Sequence, residues 1–287
     1  MIALRAGRLT LELRPETGGA ITAWHLDGRP LLRPSTPEAL ASLGARGAGC
    51  YPLVPYSNRL AGNRFTFAGQ THTLPATLDG QAIHGVGWRR PWIVLASAPA
   101  RASLAYDHAP DSDWPFPFRA EQHLSLEPGG LTWRFAATNL AAHPAPMGFG
   151  LHPFFPRPPG TRLRFAAERV WRHDARKIPS HATSVPADWD FAAGREVASA
   201  VLDHCFTDWG GRAEIALPHA TLTLAAEPAF RHLIVYIPPE RDFFAVEPVT
   251  NLTDGLNRIE SEPMSNIIVL RPGERREASV RLDVAAR

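Results

Sequence analysis

Three short segments carry side chains able to move or hold a proton. In FFAVEPVTN (243–251), two-residue periodicity puts Phe243, Ala245 and Glu247 on one face of a strand, with Phe244 and Val246 on the other. A carboxylate therefore ends an apolar face. Pro248 has no N–H to give to a ladder, so the strand is expected to stop there and present Glu247 at its rim. Partial desolvation would raise the carboxyl pKa toward the range of an effective general base; the same placement also suits a buried glutamate paired with an arginine. In GFGLHPFFPRPPG (148–160), Pro153 restricts His152 to extended geometry, at a strand edge or in a loop. An imidazole with an unperturbed pKa of about 6.5 can deliver a proton near neutral pH, although a structural histidine fits this segment equally well. In AIHGVGWRRPW (82–92), His84 precedes glycines that let backbone approach a ligand, and the rings of Trp88 and Trp92 could cover the apolar face of a sugar. The other reading is a histidine in a glycine-rich turn, with both tryptophans filling the core.

Two more segments gather polar groups without helical periodicity. YPLVPYSNRLAGNRFTFAG (51–69) collects Asn58, Arg59, Asn63 and Arg64 between an aromatic-proline run and a strand-like FTF, and VLDHCFTDWGG (201–211) carries Asp203 and His204 beside Cys205. A zinc site is not expected, because Cys50 is far from Cys205 in sequence and neither an HxH nor an HExxH spacing occurs. No GxSxG elbow or GxxxxGK[ST] loop is present. Schiff-base chemistry would depend on Lys177, the single lysine, which has no supporting context.

The elements that must position these groups are strands. Alternation recurs at RLTLEL (8–13), RFTFAG (64–69), EQHLSLE (121–127), LTWRFAA (131–137), TLTLAA (221–226), HLIVYI (232–237) and ASVRLDV (278–284). Asp27-Gly28, Asp79-Gly80, Pro128-Gly129 and Pro272-Gly273 punctuate them as turns. The pattern predicts an all-β fold, a large antiparallel β-sandwich with one or two short helices. One helix is expected within 35–47, where Ser35 and Glu38 have capping-box spacing, Pro37 suits the first turn, and Gly44 or Gly47 can end it. Residues 174–200 read as a long irregular connection. No repeat or linker divides the chain, so residues 1–287 are expected to form a single domain.

With 30 basic and 28 acidic residues the chain carries a net charge of +2, which offers no general attraction to nucleic acid or to anionic lipid. Two cysteines are too few for a disulfide scaffold, and neither a signal-length apolar run nor a stretch of about 18 apolar residues occurs. These features predict a cytoplasmic protein with no membrane or nucleic-acid partner.

Taken together, PYSNRLAGNRFTFAG, the HG of IHGVGW, GLHPFF, LDHCFTDWGG and VEPVTN, in that order, resemble the aldose 1-epimerase (galactose mutarotase) family, in particular its shorter bacterial members. The resemblance runs from about residue 51 to 257. It implies a galactose mutarotase-like supersandwich with an open sugar cleft, and cofactor-free interconversion of the α and β anomers of an aldohexose such as glucose or galactose, by a monomer or homodimer. Carried onto this chain, it implies Glu247 as general base, His152 as general acid and His84 at a ring-oxygen-side position. It further implies Arg59 and Asp203 as sugar-binding residues, with Asn58 supporting Arg59, and leaves Asn63 and Arg64 to the following hairpin. IHGVGWRR departs from the HGG segment of the longer mutarotases, which leaves the preferred sugar open. Three rival readings carry their own residues. A hexose-6-phosphate 1-epimerase would draw on Arg64, Arg89, Arg90 and Arg157 for the phosphate. A non-catalytic carbohydrate-binding protein would keep the cleft alone. A glycosidase would pair Asp203 with Glu247 and leave His152 without a role.

Overall fold

All seven alternating segments form strands, at Leu9–Arg14, Arg64–Phe67, Phe118–Glu127, Gly130–Asn139, Ala220–Ala226, His232–Ile237 and Arg275–Ala286, in a computed structural model that describes residues 1–287. Two large antiparallel sheets result. The first has eleven strands in the order Ile2–Ala6, Leu9–Arg14, Ala20–Leu26, Cys50–Leu53, Gly150–Pro156, Phe243–Val249, His232–Ile237, Leu202–Thr207, Arg169–His173 and Pro179–Ser184, with Arg29–Pro30 beside Ala20–Leu26. The second has nine, running from Ile93–Ala98 through Arg101–His108, Phe118–Glu127, Gly130–Asn139, Arg275–Ala286, Ala220–Ala226, Arg212–Leu217 and Arg162–Phe165 to Arg195–Glu196.

Alternation decides which side chains fill the space between the sheets. Leu151, Phe155, Phe244, Val246, Leu233, Val235 and Phe206 of the first sheet meet Phe118, Leu124, Trp133, Phe135, Leu222 and Val280 of the second in one buried apolar cluster. The residues between them in sequence point the other way. Tyr51, Phe154, Ala245, Ile234, Cys205 and Trp171 form a separate buried cluster on the outer face of the first sheet. That outer face carries His152, Glu247 and Asp203, with His84 against His152 and Arg59 against Asp203.

Several local expectations needed revision. The helix spans Pro37–Leu43, but its cap is Thr36 rather than Ser35: Thr36 Oγ1 accepts from the Ala39 N–H at 3.1 Å, and the Ser35 hydroxyl donates instead to the Thr22 carbonyl. Pro37 at the first helical position forces the residue just before it to be extended, which makes Thr36 the cap. Residues 174–200 are not wholly irregular, because Pro179–Ser184 adds an edge strand to the first sheet. Nor does the strand holding Glu247 stop at Pro248. It runs to Val249 in mid-sheet, where Pro248 lies opposite Leu233. Likewise Pro153 lies inside Gly150–Pro156, opposite Cys50, so His152 is in a central strand and not at an edge or in a loop. Each proline strand is held by its other neighbour, while the ladder between the two lapses from Gly150↔Val249 to Phe154↔Ala245.

Candidate active site

Strand register assembles the site. The partners Gly150↔Val249 and Phe154↔Ala245 keep one register between these two strands, which sets His152 opposite Glu247. His152 also pairs with Tyr51, Glu247 with Ile234, and Ile234 with Cys205. One row of side chains, Tyr51, His152, Glu247, Ile234 and Cys205, thus crosses five strands on the outer face. The neighbouring row on that face holds Phe154, Ala245, Tyr236 and Asp203.

His152 Nε2 lies 3.3 Å from Glu247 Oε1. The imidazole is stacked on Tyr51 at 4.7 Å between ring centroids and flanked by Phe154 at 4.4 Å, with Arg33 lying over Phe154. Glu247 is 2% exposed and His152 7%. Burial pushes the Glu247 carboxyl well up, with Asp203 adding to the rise and Arg59 opposing it. Burial likewise pushes His152 down to about 3, helped by Arg33 and Arg59. Burial thus disfavours either charge alone and favours a protonated carboxyl beside a neutral imidazole. Glu247 Oε2 and His152 Nδ1 are buried without any hydrogen-bond partner in the protein, and so are Trp88 Nε1 and Arg46 Nε. Four unpartnered buried polar atoms in one neighbourhood are hydrogen-bonding capacity that the protein itself leaves unused.

His84 faces His152 edge-on at 5.3 Å. Its Nδ1 accepts from the Asn58 N–H at 3.0 Å, which fixes the proton of the neutral ring on Nε2. Burial holds His84 well below the usual imidazole range. The residue adopts φ +62°, and Gly85 follows at φ +64°; a Cβ on Gly85 would lie 2.3 Å from the Val54 carbonyl oxygen. The HG pair is therefore a close backbone crossing that turns the imidazole toward His152.

Asn58, also at positive φ, accepts through Oδ1 from the Arg59 N–H at 2.8 Å and from Arg59 Nη1 at 3.2 Å. Arg59 Nη2 then lies 3.7 Å from Asp203 Oδ2. The loop is anchored from behind by Asn251, the last residue of VEPVTN, to which no role was assigned, and by Asp254 just beyond it. Asn251 Oδ1 accepts from the Ser57 N–H at 3.0 Å, and Asp254 Oδ1 from the Ala61 N–H at 3.0 Å. Asn63 and Arg64 do belong to the next hairpin: Asn63 bonds Gly80 and Ala82, and Arg64 opens the strand Arg64–Phe67.

The structure thus brings Glu247, His152, His84, Arg59, Asn58 and Asp203 to one face. It separates the two tryptophans: Trp88 packs by Tyr51 at 6.0 Å, whereas Trp92 sits between the sheets against Tyr106 and Phe135. Three of the arginines considered for a phosphate are engaged elsewhere, Arg89 and Arg90 with Asp113 and Arg157 with the backbone carbonyls of Pro238 and Val197. Arg33, over the Phe154 ring, and Arg46, over the Trp88 ring, lie by this cluster without having been singled out from the sequence. No group of three or more His, Cys, Asp or Glu side chains converges as a metal-ligand set, and no helix is long and apolar enough to cross a membrane.

A sandwich of this size and order, with its polar cluster on the outer face of the larger sheet, is a galactose mutarotase-like fold. The aldose 1-epimerase family model matches residues 1–283, and the chain belongs to that family. The Escherichia coli (strain K12) protein YphB, itself uncharacterized, is 29% identical over 293 residues, covering 98% of this chain and 97% of its own length. A crystal structure from Escherichia coli K12, carried under the provisional name aldose 1-epimerase, superposes with a TM-score of 0.90 at 27% identity, covering 100% of this chain and 99% of the other. A galactose mutarotase-like protein from Clostridium acetobutylicum gives a TM-score of 0.88 at 19% identity, with 99% and 95% covered, a likeness of fold.

Proposed function

We propose that the protein is a mutarotase, interconverting the α and β anomers of an aldohexose such as glucose or galactose by acid-base opening and reclosure of the ring. The observation that carries this reading is the His152–Glu247 pair, 3.3 Å apart on the outer face of the first sheet. The side-by-side placement suits the chemistry, because the two oxygens involved, O1 and the ring oxygen, are both bonded to C1.

Ring opening moves one proton from O1 to the ring oxygen while the C1–ring-oxygen bond breaks and C1=O1 forms. With one proton on the pair, carried by His152, Glu247 as carboxylate takes the O1 proton and the His152 imidazolium gives its own to the ring oxygen. The pair ends as carboxylic acid and neutral imidazole, the distribution that burial favours. Rotation about C1–C2 and the reverse transfers give the other anomer and restore the starting pair. His84, with its proton on Nε2, donates a hydrogen bond to substrate oxygen, and Arg59 and Asp203 hold hydroxyls away from C1. Arg59 stays protonated, so it holds oxygen without competing as an acid.

Polarimetry on freshly dissolved α-D-glucose and α-D-galactose tests the proposal. The protein should speed the approach to anomeric equilibrium well above the buffer rate. An unchanged rate with both sugars and with glucose 6-phosphate, alongside measurable sugar binding, would leave a carbohydrate-binding protein instead.

A further inference from the structure

Lys177 lies opposite Arg59 across Asp203: its Nζ is 3.8 Å from Asp203 Oδ2, and Arg59 Nη2 is 3.7 Å from the same oxygen. All three side chains line one small cavity, together with Asn58, Thr253 and His173. The lysine is held there by its turn. Asp174 Oδ1 accepts from the N–H groups of both Arg176 and Ile178, at 2.8 and 3.0 Å. The Asp174 N–H donates to the Ile178 carbonyl, and its own carbonyl accepts from the Lys177 N–H, each at 3.0 Å. This closed turn joins the strands Arg169–His173 and Pro179–Ser184 and fixes Lys177 at φ +66°. A branched or long side chain rarely takes that backbone conformation, and such residues concentrate where a ligand is held.

We propose that Lys177 is a specificity-determining residue of the sugar site, donating to one hydroxyl of the aldose while Asp203 accepts from a neighbouring one. The proposal rests on the mutarotase reading above. Asp203 as a carboxylate only accepts and the Lys177 ammonium only donates, so the pair reads both roles of two adjacent hydroxyls. Arg59 keeps Asp203 oriented when the lysine turns to the substrate. The ammonium is 38% exposed along its side chain, which leaves it free to make that turn. No chemistry passes through it.

The test is steady-state polarimetry on the wild type, Lys177→Met and Lys177→Gly, with glucose, galactose and the deoxyglucoses lacking the hydroxyl at C2, C3, C4 or C6. For the parent sugar, KM should rise about tenfold in both variants, the loss expected for one charged hydrogen bond, with kcat within about twofold of wild type. For one deoxy sugar the wild-type and variant KM values should coincide, because the hydroxyl that Lys177 reads is gone. Lys177→Gly should be at least as heat-stable as wild type, since glycine accepts the left-handed backbone, so a weaker KM in that variant is not a folding defect. Unchanged KM, or a rise equal for every deoxy sugar, would overturn the proposal. If the wild type accelerates no aldose, the mutarotase reading fails separately. Calorimetric titration of glucose and galactose into wild type and Lys177→Met then decides the lysine's role, and equal affinity or no binding overturns it.

Discussion

Replacing Glu247 by glutamine separates the proton from the fold. Glu247 is buried, its Oε1 is 3.3 Å from His152 Nε2, and burial favours the protonated carboxyl. A carboxylic O–H donates to a neutral imidazole nitrogen; a glutamine N–H of nearly the same shape can donate to the same nitrogen. The packing therefore survives, and because the wild-type fold keeps a proton that its unfolded chain releases above pH ~4.3, the variant should be at least as stable as wild type at pH 7. The proton that must leave the group does not survive the change. General base catalysis of this kind contributes about 10²–10⁴ in rate, so kcat should fall by that factor, about 2.7–5.4 kcal/mol at 1.36 kcal/mol per tenfold. The assay is the approach of α-D-glucose and α-D-galactose to equilibrium by polarimetry, with urea unfolding run in parallel. A folded variant within about threefold of wild-type kcat would refute the assignment of Glu247 as the base.

Three further expectations come from the supports of the site. Asn251→Ala removes the acceptor of the buried Ser57 N–H and should destabilise by about 2–3 kcal/mol, read as a lower urea midpoint together with a higher KM as the 57–61 loop loosens. Gly85→Ala puts a methyl 2.3 Å from the Val54 carbonyl oxygen at φ +64°; backbone strain and overlap together should exceed about 2 kcal/mol, and a midpoint equal to wild type would disprove the close crossing. Stability should also fall in mild acid. His84, His152 and His232 are buried and held below the usual imidazole range, His152 at about 3 and His232 at about 4. Below pH ~6.5 the unfolded chain takes up protons that the fold refuses, each histidine weakening the fold by up to ~1.4 kcal/mol per pH unit as pH falls. Glu247 acts in the opposite sense, because its raised pKa lets the fold keep a proton that the unfolded chain releases above pH ~4.3. His204, held at about 3, adds to the three, so the histidines outweigh Glu247 and the fold loses stability on going from pH ~6 to ~4.5. Urea midpoints at pH 7, 6 and 5 should descend in that order, and a flat series would mean that these imidazoles are charged in the fold.

What the sequence made legible follows the range over which each cause acts. Alternation is local, so all seven strands and the facing of Glu247 with Phe243 and Ala245 could be read directly. Glycine geometry is local too, and the Asp27-Gly28 and Asp79-Gly80 turns do adopt positive φ. Register is not local. Tyr51, His152, Glu247, Ile234 and Cys205 become one row only when five strands far apart in sequence pair at one offset, and no segment contains that offset. The proline reading failed for the same reason: a missing N–H weakens only one side of a strand. Pro153 and Pro248 are tolerated because neighbours on the other side, Cys50–Leu53 and His232–Ile237, hold their strands. Both prolines lie where the ladder between the His152 and Glu247 strands lapses. His152 and Glu247 therefore stand where the ladder between their two strands lapses, and their alignment depends on the flanking strands and on stacking against Tyr51 and Phe154.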